Sequence, residues 1–123
     1  MLIDESYKEI RDMMSRFADG EVAPLAHDID KNGQIPDSLK AKFAENGFMG
    51  IYIPEEYGGA GMDYMSYAIM IEEISRACGS SGVFLSAHNS LAVWPILTFG
   101  TKEQKDKYLP KMATGETVGC FCL

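Results

Sequence analysis

The sequence has few cysteines, and their number and spacing exclude the structures that cysteine most often builds. Its 123 residues contain three, Cys78, Cys120 and Cys122. An odd count without a hydrophobic secretory segment at Met1 argues against a disulfide framework and predicts a cytoplasmic protein with free thiols. No second Cys or His pair stands at zinc-ligand spacing, so we predict no metal site.

Basic residues are also scarce. Lysine and arginine total 11 against 18 acidic residues, which gives a net charge of −7. The deficit lies in the first part of the chain, because Met1–Glu73 carries 15 acidic and 6 basic residues. Nucleic-acid-binding proteins usually present a basic face, so we expect no nucleic-acid partner.

Charge is absent altogether from Gly82–Phe99, and apolar side chains there fall on every side of a helical period. Such a helix lies either at the centre of a protein core or in a membrane. The run is barely long enough to cross a bilayer, and polar residues interrupt it at Ser86–Ser90. We therefore predict a central core helix and no membrane span.

The polar residues in this helix leave one question open. A buried polar group without a partner costs on the order of 1–3 kcal/mol. The group Ser86–Ser90 is therefore predicted either to bond to neighbouring helices or to face a cavity that binds something.

Amphipathic periodicity and capping signals predict further helices around this one. They are Asp4–Ala18, Pro24–Lys31, a third that opens at Pro36-Asp37, Tyr64–Cys78, and a last one after the capping box Thr101–Gln104. Gly79–Gly82 reads as a tight connection between two antiparallel helices. The predicted fold class is all-α, an orthogonal or up-down bundle of about five to six helices around a central apolar helix.

The last seven residues follow a different pattern. Thr117–Leu123 alternates faces with a period of two, which predicts a strand. A single apolar strand has an unpaired edge that proteins normally cover or pair. We therefore divide the chain into a helical domain, residues 1–116, and the start of a following β-domain, residues 117–123.

Five motifs occur in a familiar order and spacing. They are IPEEYGGAG at 53–61, IEEISR at 71–76, NSL at 89–91, FGTKEQK at 99–105 followed by YLP at 108–110, and GCF at 119–121. Together they resemble the N-terminal helical domain of the acyl-CoA dehydrogenase family, most closely the short-chain, butyryl-CoA type. The resemblance covers essentially the whole chain.

The resemblance implies a subunit with this helical domain, a β-domain and a C-terminal helical domain, with FAD between the last two. It implies α,β-dehydrogenation of an acyl-CoA thioester: a carboxylate takes the Cα proton and the Cβ hydride goes to the flavin. An electron-transfer flavoprotein would reoxidise the flavin, and the enzyme would be a homotetramer. The catalytic glutamate of short-chain members comes from the C-terminal domain, so no catalytic residue is assigned here.

Two sets of binding residues follow from the resemblance. The predicted flavin neighbours are Phe121, Cys122 and Leu123. The predicted acyl-pocket residues on the apolar helix are Phe84, Leu85, His88 and Leu91. Phe84, His88 and Leu91 are spaced i, i+4 and i+7, which would put them on one helix face.

An equal alternative for His88 is a core histidine bonded to Tyr64, Tyr67 or a backbone carbonyl. Other functions also remain open at this stage. They are a free-standing helical binding module, a branched-chain or glutaryl-CoA dehydrogenase, and an acyl-CoA oxidase. The predicted strand at Thr117–Leu123 favours the enzymes, because a free-standing module has no use for it.

Overall fold

A computed structural model describes residues 4–122 as a bundle of helices. Its longer helical stretches are five, namely Glu5–Asn32, Asp37–Glu45, Tyr64–Ala77, Gly79–Phe99 and Lys102–Ala113. Two short 3₁₀ turns, Phe48–Gly50 and Glu55–Tyr57, lie between the second and the third. The predicted all-α class and helix number are therefore confirmed. Among the described residues there is no β-strand.

The first stretch joins two helices that the sequence predicted as separate. Helix α1, Glu5–Phe17, continues through a π turn at Ala18–Val22 and a 3₁₀ turn at Ala23–Leu25 into α2, Ala26–Asn32. Pro24 has no backbone N–H to donate, so it interrupts the α-helical hydrogen bonding without ending the helix.

Helix α4, Tyr64–Ala77, packs on α1 through a network of ion pairs centred on Glu73. Glu73 is almost fully buried, and it accepts hydrogen bonds from Arg11 Nη1 at 2.6 Å and Arg76 Nε at 3.0 Å. Arg76 also reaches Asp19 in the π turn at 2.9 Å. Burial acts to raise the pKa of Glu73, but the two guanidinium groups outweigh it and hold the pKa below its usual value.

The long helix, Gly79–Phe99, consists of α5, Gly79–Ser86, a π segment, Ala87–Val93, and α6, Trp94–Phe99. The predicted connection at 79–82 is wrong, because these residues form the first turn of α5 and only Cys78 separates α4 from it. The two helices are nevertheless antiparallel, because their contacts run in opposite chain order. A Cβ on Gly82 would lie 1.9 Å from Ser75 Oγ, and Tyr67 Oη lies 3.4 Å from Ser86 Oγ.

The long helix is buried on one face only. Leu85, His88 and Asn89 are inaccessible to solvent, whereas apolar side chains on the other side are exposed. The exposed set comprises Val83, Leu91, Trp94 and Phe99. Judged by length and composition alone, this helix of 21 residues is also long and apolar enough to cross a membrane. The absence of a span therefore remains a prediction.

Two helices complete the bundle, α3 at Asp37–Glu45 and α7 at Lys102–Ala113. The predicted capping box of α7 is confirmed, with Thr101 Oγ1 accepting from Gln104 N and Gln104 Oε1 accepting from Thr101 N. Pro110 lies inside this helix.

The predicted strand at the C-terminal end is not formed within residues 117–122. Thr117 N–H donates to Lys111 O at 3.0 Å and Gly119 N–H donates to a histidine nitrogen, so neither pairs with another strand. A strand is defined by its ladder to a neighbour, and no described segment offers one. Leu123 lies outside the described residues.

Neutralising the buried carboxylate tests the ion-pair network. We expect Glu73→Gln to lower the free energy of unfolding by about 1–2 kcal/mol, because it removes the charge that pairs two guanidinium groups. The matched control is Glu72→Gln, since Glu72 is exposed and pairs with Arg11 alone. That change is expected to cost less than about 0.5 kcal/mol. Urea unfolding gives both values, and equal effects would contradict a central role for Glu73.

The effect of Glu73→Gln also depends on pH. A carboxylate whose pKa is lowered in the folded state contributes stability above its unfolded pKa and loses that contribution as pH falls through the folded pKa. The difference between wild type and variant should therefore shrink in acid.

Candidate functional site

The middle of the long helix, Ala87–Val93, is wound as a π-helix. Such segments use i→i+5 hydrogen bonds, are rare, and occur frequently at functional sites. This one carries the two buried polar side chains, His88 and Asn89. Both point at the 3₁₀ turn Phe48–Gly50, which is also buried.

Hydrogen bonds fix the tautomer of His88. Its Nε2 lies 2.9 Å from the Met49 carbonyl oxygen, which can only accept. Its Nδ1 lies 2.9 Å from the backbone nitrogen of Gly119, which can only donate. The imidazole is therefore neutral, with its proton on Nε2. Burial lowers the pKa of His88, which agrees with a ring that stays uncharged.

Asn89 bonds to the same turn. Its Nδ2 donates to Phe48 O at 3.0 Å and to Leu85 O at 3.0 Å, one turn earlier in the helix. The Tyr52 hydroxyl donates to the backbone carbonyl of Asn89, and burial raises the pKa of that phenol. Among the atoms of the described chain, Asn89 Oδ1 is buried without a hydrogen-bond partner.

The side chains of His88 and Asn89 complete the hydrogen bonding of the Phe48–Gly50 turn, whose carbonyls are not all paired with backbone N–H groups. Gly50 O accepts from Ala60 N at 2.9 Å, and Ile51 O accepts from Met62 N at 2.9 Å. The carbonyl oxygens of Phe48 and Met49 instead accept hydrogen bonds from the side chains of Asn89 and His88, respectively. The backbone-carbonyl alternative for His88 is thus confirmed, and its partner is neither Tyr64 nor Tyr67.

The structure does not bring the four predicted acyl-pocket residues to one surface. Leu85 and His88 are 0% exposed, Phe84 is partly buried, and Leu91 is 48% exposed. The i, i+4, i+7 rule assumes 3.6 residues per turn, and the π segment puts more residues into each turn. Only Phe84 and Leu91 offer surface to a ligand.

Phe84 sits beside a surface groove. Its ring stacks on Phe43, with centroids 6.3 Å apart. Ile29, Ile35 and Lys40 also line this groove, whose volume is about 520 Å³. The groove is a surface that no sequence pattern predicted, because its walls come from two stretches, residues 29–40 and 80–84, that are distant in sequence.

The predicted flavin neighbours within the described residues are accessible. Phe121 is 54% exposed, and Cys122 is exposed as well. They follow Gly119, which is bonded to His88. An exposed aromatic ring and thiol in an uncharged segment suit contact with a flat, largely apolar ring system. The third predicted neighbour, Leu123, lies outside the described residues.

The sequence analysis missed Tyr52, Gly119 and the Phe48–Gly50 turn as partners of the long helix. The adjacent polar pair His88-Asn89 in an otherwise apolar helix did signal that some partner exists. No pattern in the sequence showed that the partner would be a set of backbone carbonyls about 40 positions earlier.

The fold is that of an all-α domain. Its long helix is hydrogen-bonded to the Phe48–Gly50 turn, and its C-terminal segment is exposed. The family description "Acyl-CoA dehydrogenase, N-terminal domain" matches residues 4–116. The chain belongs to the acyl-CoA dehydrogenase family, as the motifs predicted, and forms its N-terminal helical domain.

Two sequence relatives illustrate the match. A 3-(aryl)acrylate reductase of Clostridium sporogenes is 46% identical over 123 residues, which is 100% of this chain and 33% of the relative. The mitochondrial short-chain specific acyl-CoA dehydrogenase of Sus scrofa is 43% identical over 121 residues, which is 98% of this chain and 29% of the relative. The chain thus spans about a third of the length of these relatives.

Solved structures agree. One match is a solved structure described as the electron transferring flavoprotein of Acidaminococcus fermentans, towards a mechanism of flavin-based electron bifurcation. Its TM-score is 0.87, with 42% identity over 96% of this chain and 31% of that one. Butyryl-CoA dehydrogenase from Megasphaera elsdenii matches at 0.85 and 28% over 96% and 32%. An acyl-CoA dehydrogenase complexed with FAD from Bacillus anthracis matches at 0.79 and 36% over 94% and 20%.

Removing the Asn89 amide tests the connection between helix and turn. We expect Asn89→Ala to lower the free energy of unfolding by about 2–3 kcal/mol, because Phe48 O would remain buried without a donor. Ser90→Ala is the matched control, since Ser90 Oγ bonds only within its own helix, to Ser86 O and Ser86 Oγ. Its expected effect is within about 0.5 kcal/mol. Thermal or urea unfolding measures both, and a neutral Asn89→Ala would contradict this role.

Proposed function

We propose that this chain is the N-terminal part of an FAD-dependent acyl-CoA dehydrogenase that acts on short-chain acyl-CoA thioesters. The observation that carries the proposal is the family match over residues 4–116. The short-chain assignment rests on similarity to the Sus scrofa enzyme and to butyryl-CoA dehydrogenase of Megasphaera elsdenii. The reaction removes a proton from Cα and a hydride from Cβ, which leaves a 2-enoyl-CoA.

In this proposal the chain's own residues bind and shape the site, and none is catalytic. FAD, when bound, supplies the hydride acceptor, and Phe121 and Cys122 are its proposed neighbours here. Their exposure and uncharged surroundings support this contact. The carboxylate base would come from outside these 123 residues. The strongly paired Glu73 is held ionised by Arg11 and Arg76 and faces α1, so it is not a candidate.

The acyl-facing residues are proposed to be Phe84 and Leu91, with Leu85 and His88 behind them in the core. Exposure supports this division, because only the first two offer surface to a ligand. Bulky side chains at these positions would shorten the pocket and favour an acyl chain of about four carbons, since each methylene changes discrimination by roughly 1–3 kcal/mol.

We further propose an electron-transfer flavoprotein as electron acceptor, a homotetramer, a cytoplasmic location and no membrane span. The acceptor is supported by the Acidaminococcus fermentans structure. The long helix exposes several apolar side chains on one face and not a single isolated one, and such a face suits contact with another protein. The three cysteines, free in the structure, are compatible with a reducing compartment.

A second candidate is the reverse reaction, reduction of an activated double bond. The 46% identity to a 3-(aryl)acrylate reductase favours it. The helical domain does not decide direction, because the residue that exchanges the Cα proton would come from outside these 123 residues. Assaying the full-length protein with butyryl-CoA plus an oxidising dye, and with an aryl acrylate or its thioester plus a reductant, separates the two. Branched-chain and glutaryl substrates, and oxygen as acceptor, belong in the same panel.

The first prediction concerns the 123-residue chain alone. We expect it to bind FAD weakly or not at all and to show no turnover of butyryl-CoA with a dye acceptor, because the base and most of the flavin contacts lie elsewhere. The visible spectrum with added FAD and the dye assay measure this. Turnover by the chain alone would contradict the proposal.

The second prediction concerns chain length in the full-length enzyme. We expect Phe84→Ala and Leu91→Ala each to raise kcat/KM for hexanoyl-CoA relative to butyryl-CoA by about tenfold, because space opens for extra methylenes. The matched control is Leu85→Ala, which removes a fully buried leucine on the same helix. It is expected to cost about 2–5 kcal/mol of stability and to leave the ratio unchanged. If kcat/KM for hexanoyl-CoA relative to butyryl-CoA changes only in Leu85→Ala, the acyl pocket lies elsewhere than at Phe84 and Leu91.

A further inference from the structure

His88 is a buried titratable residue that the proposed reaction does not use. Both ring nitrogens are occupied by backbone groups, and the side chain is 0% exposed. It therefore has no free position from which to exchange a proton with a substrate. What it does is join the Phe48–Gly50 turn, the long helix and the C-terminal segment.

The C-terminal segment depends on few contacts. Thr117 N–H donates to Lys111 O, and Gly119 N–H donates to His88 Nδ1. Within residues 4–122, positions 120–122 make no hydrogen bond. The bond to His88 is thus the last polar contact of the described backbone before Phe121 and Cys122.

Close packing brings Gly119 to the histidine. A Cβ at this position would lie 2.3 Å from Ala92 Cβ and 2.6 Å from Met112 Cε. The backbone at Gly119 therefore rests directly on the long helix and on α7. A glycine is required there by the close approach of the chain.

The hydrogen bond to the Met49 carbonyl fixes the orientation of the His88 ring. It accepts the Nε2 proton and so leaves Nδ1 as an acceptor turned to Gly119. A ring rotated by half a turn would lose both bonds.

We propose that His88 is a positioning residue that fixes the path of residues 119–122 on the long helix and thereby sets where Phe121 and Cys122 are presented. The anchoring itself follows from the geometry. That the presented residues meet a flavin rests on the proposed function.

Two substitutions separate the two bonds of the ring. In His88→Asn the side-chain oxygen lies near the position of Nδ1, so it can still accept from Gly119 but cannot reach Met49 O. In His88→Gln the longer amide can donate to Met49 O but leaves Gly119 N–H without its acceptor. Each variant loses one hydrogen bond, so the pair is matched in the number of bonds lost and opposite in the partner that is kept. His27→Gln, at an exposed histidine, is the control for the substitution itself.

Amide hydrogen exchange of the 123-residue chain, read by NMR, measures the anchor. We expect Gly119 N–H to exchange about tenfold faster in His88→Gln than in wild type, and to stay near the wild-type rate in His88→Asn and His27→Gln. Thr117 N–H is the internal reference, because its acceptor is Lys111 O. If Gly119 keeps its protection in His88→Gln, or if Thr117 loses as much as Gly119, the anchoring role is overturned.

FAD binding by the full-length protein tests the consequence. We expect His88→Gln to weaken FAD binding roughly tenfold relative to His88→Asn, because the segment is no longer held in place before the flavin arrives. Equal FAD affinity in the two variants, with Gly119 released in one of them, would overturn the link to the flavin. Absence of FAD binding by the wild type would overturn the proposed function, and the exchange comparison would then decide the anchoring alone.

Discussion

The hydrogen bonds from His88 and Asn89 to the carbonyls of Met49 and Phe48 are the constraint on which the rest of the bundle depends. The 3₁₀ turn at Phe48–Gly50 is buried and only three residues long, so the carbonyls of Phe48 and Met49 need donors from elsewhere. The long helix provides them from two adjacent positions. Because the partners are fixed backbone atoms, they define the rotation and height of the helix against the core.

The π segment is part of this solution. Adjacent residues on a regular helix point about 100° apart, yet both His88 and Asn89 reach the same turn. The wider winding at Ala87–Val93 accompanies that arrangement and also changes the register of everything after it. As a result, Leu91 faces different surroundings from those that regular spacing from Phe84 predicts.

The long helix has a buried side, which packs in this domain, and an exposed side. Leu85, His88, Asn89 and Val93 pack against the rest of this domain, while Val83, Leu91, Trp94 and Phe99 remain exposed. In the proposed enzyme these exposed residues would meet ligand or other protein, so the helix would carry the fold on one side and the function on the other. The ion pairs of Glu73 join α1 to α4.

The sequence by itself determined the helical class, the capping box at Thr101–Gln104, the family and the need for partners at His88 and Asn89, because these depend on local periodicity, local bonding and motif order. Only the tertiary structure decided which atoms those partners are and that 79–82 is helical. It also decided that 117–122 is not paired as a strand and that Leu85 and His88 are core residues. The partners of His88 and Asn89 lie about 40 positions away, and a strand needs a second segment to pair with, so no local pattern records either outcome.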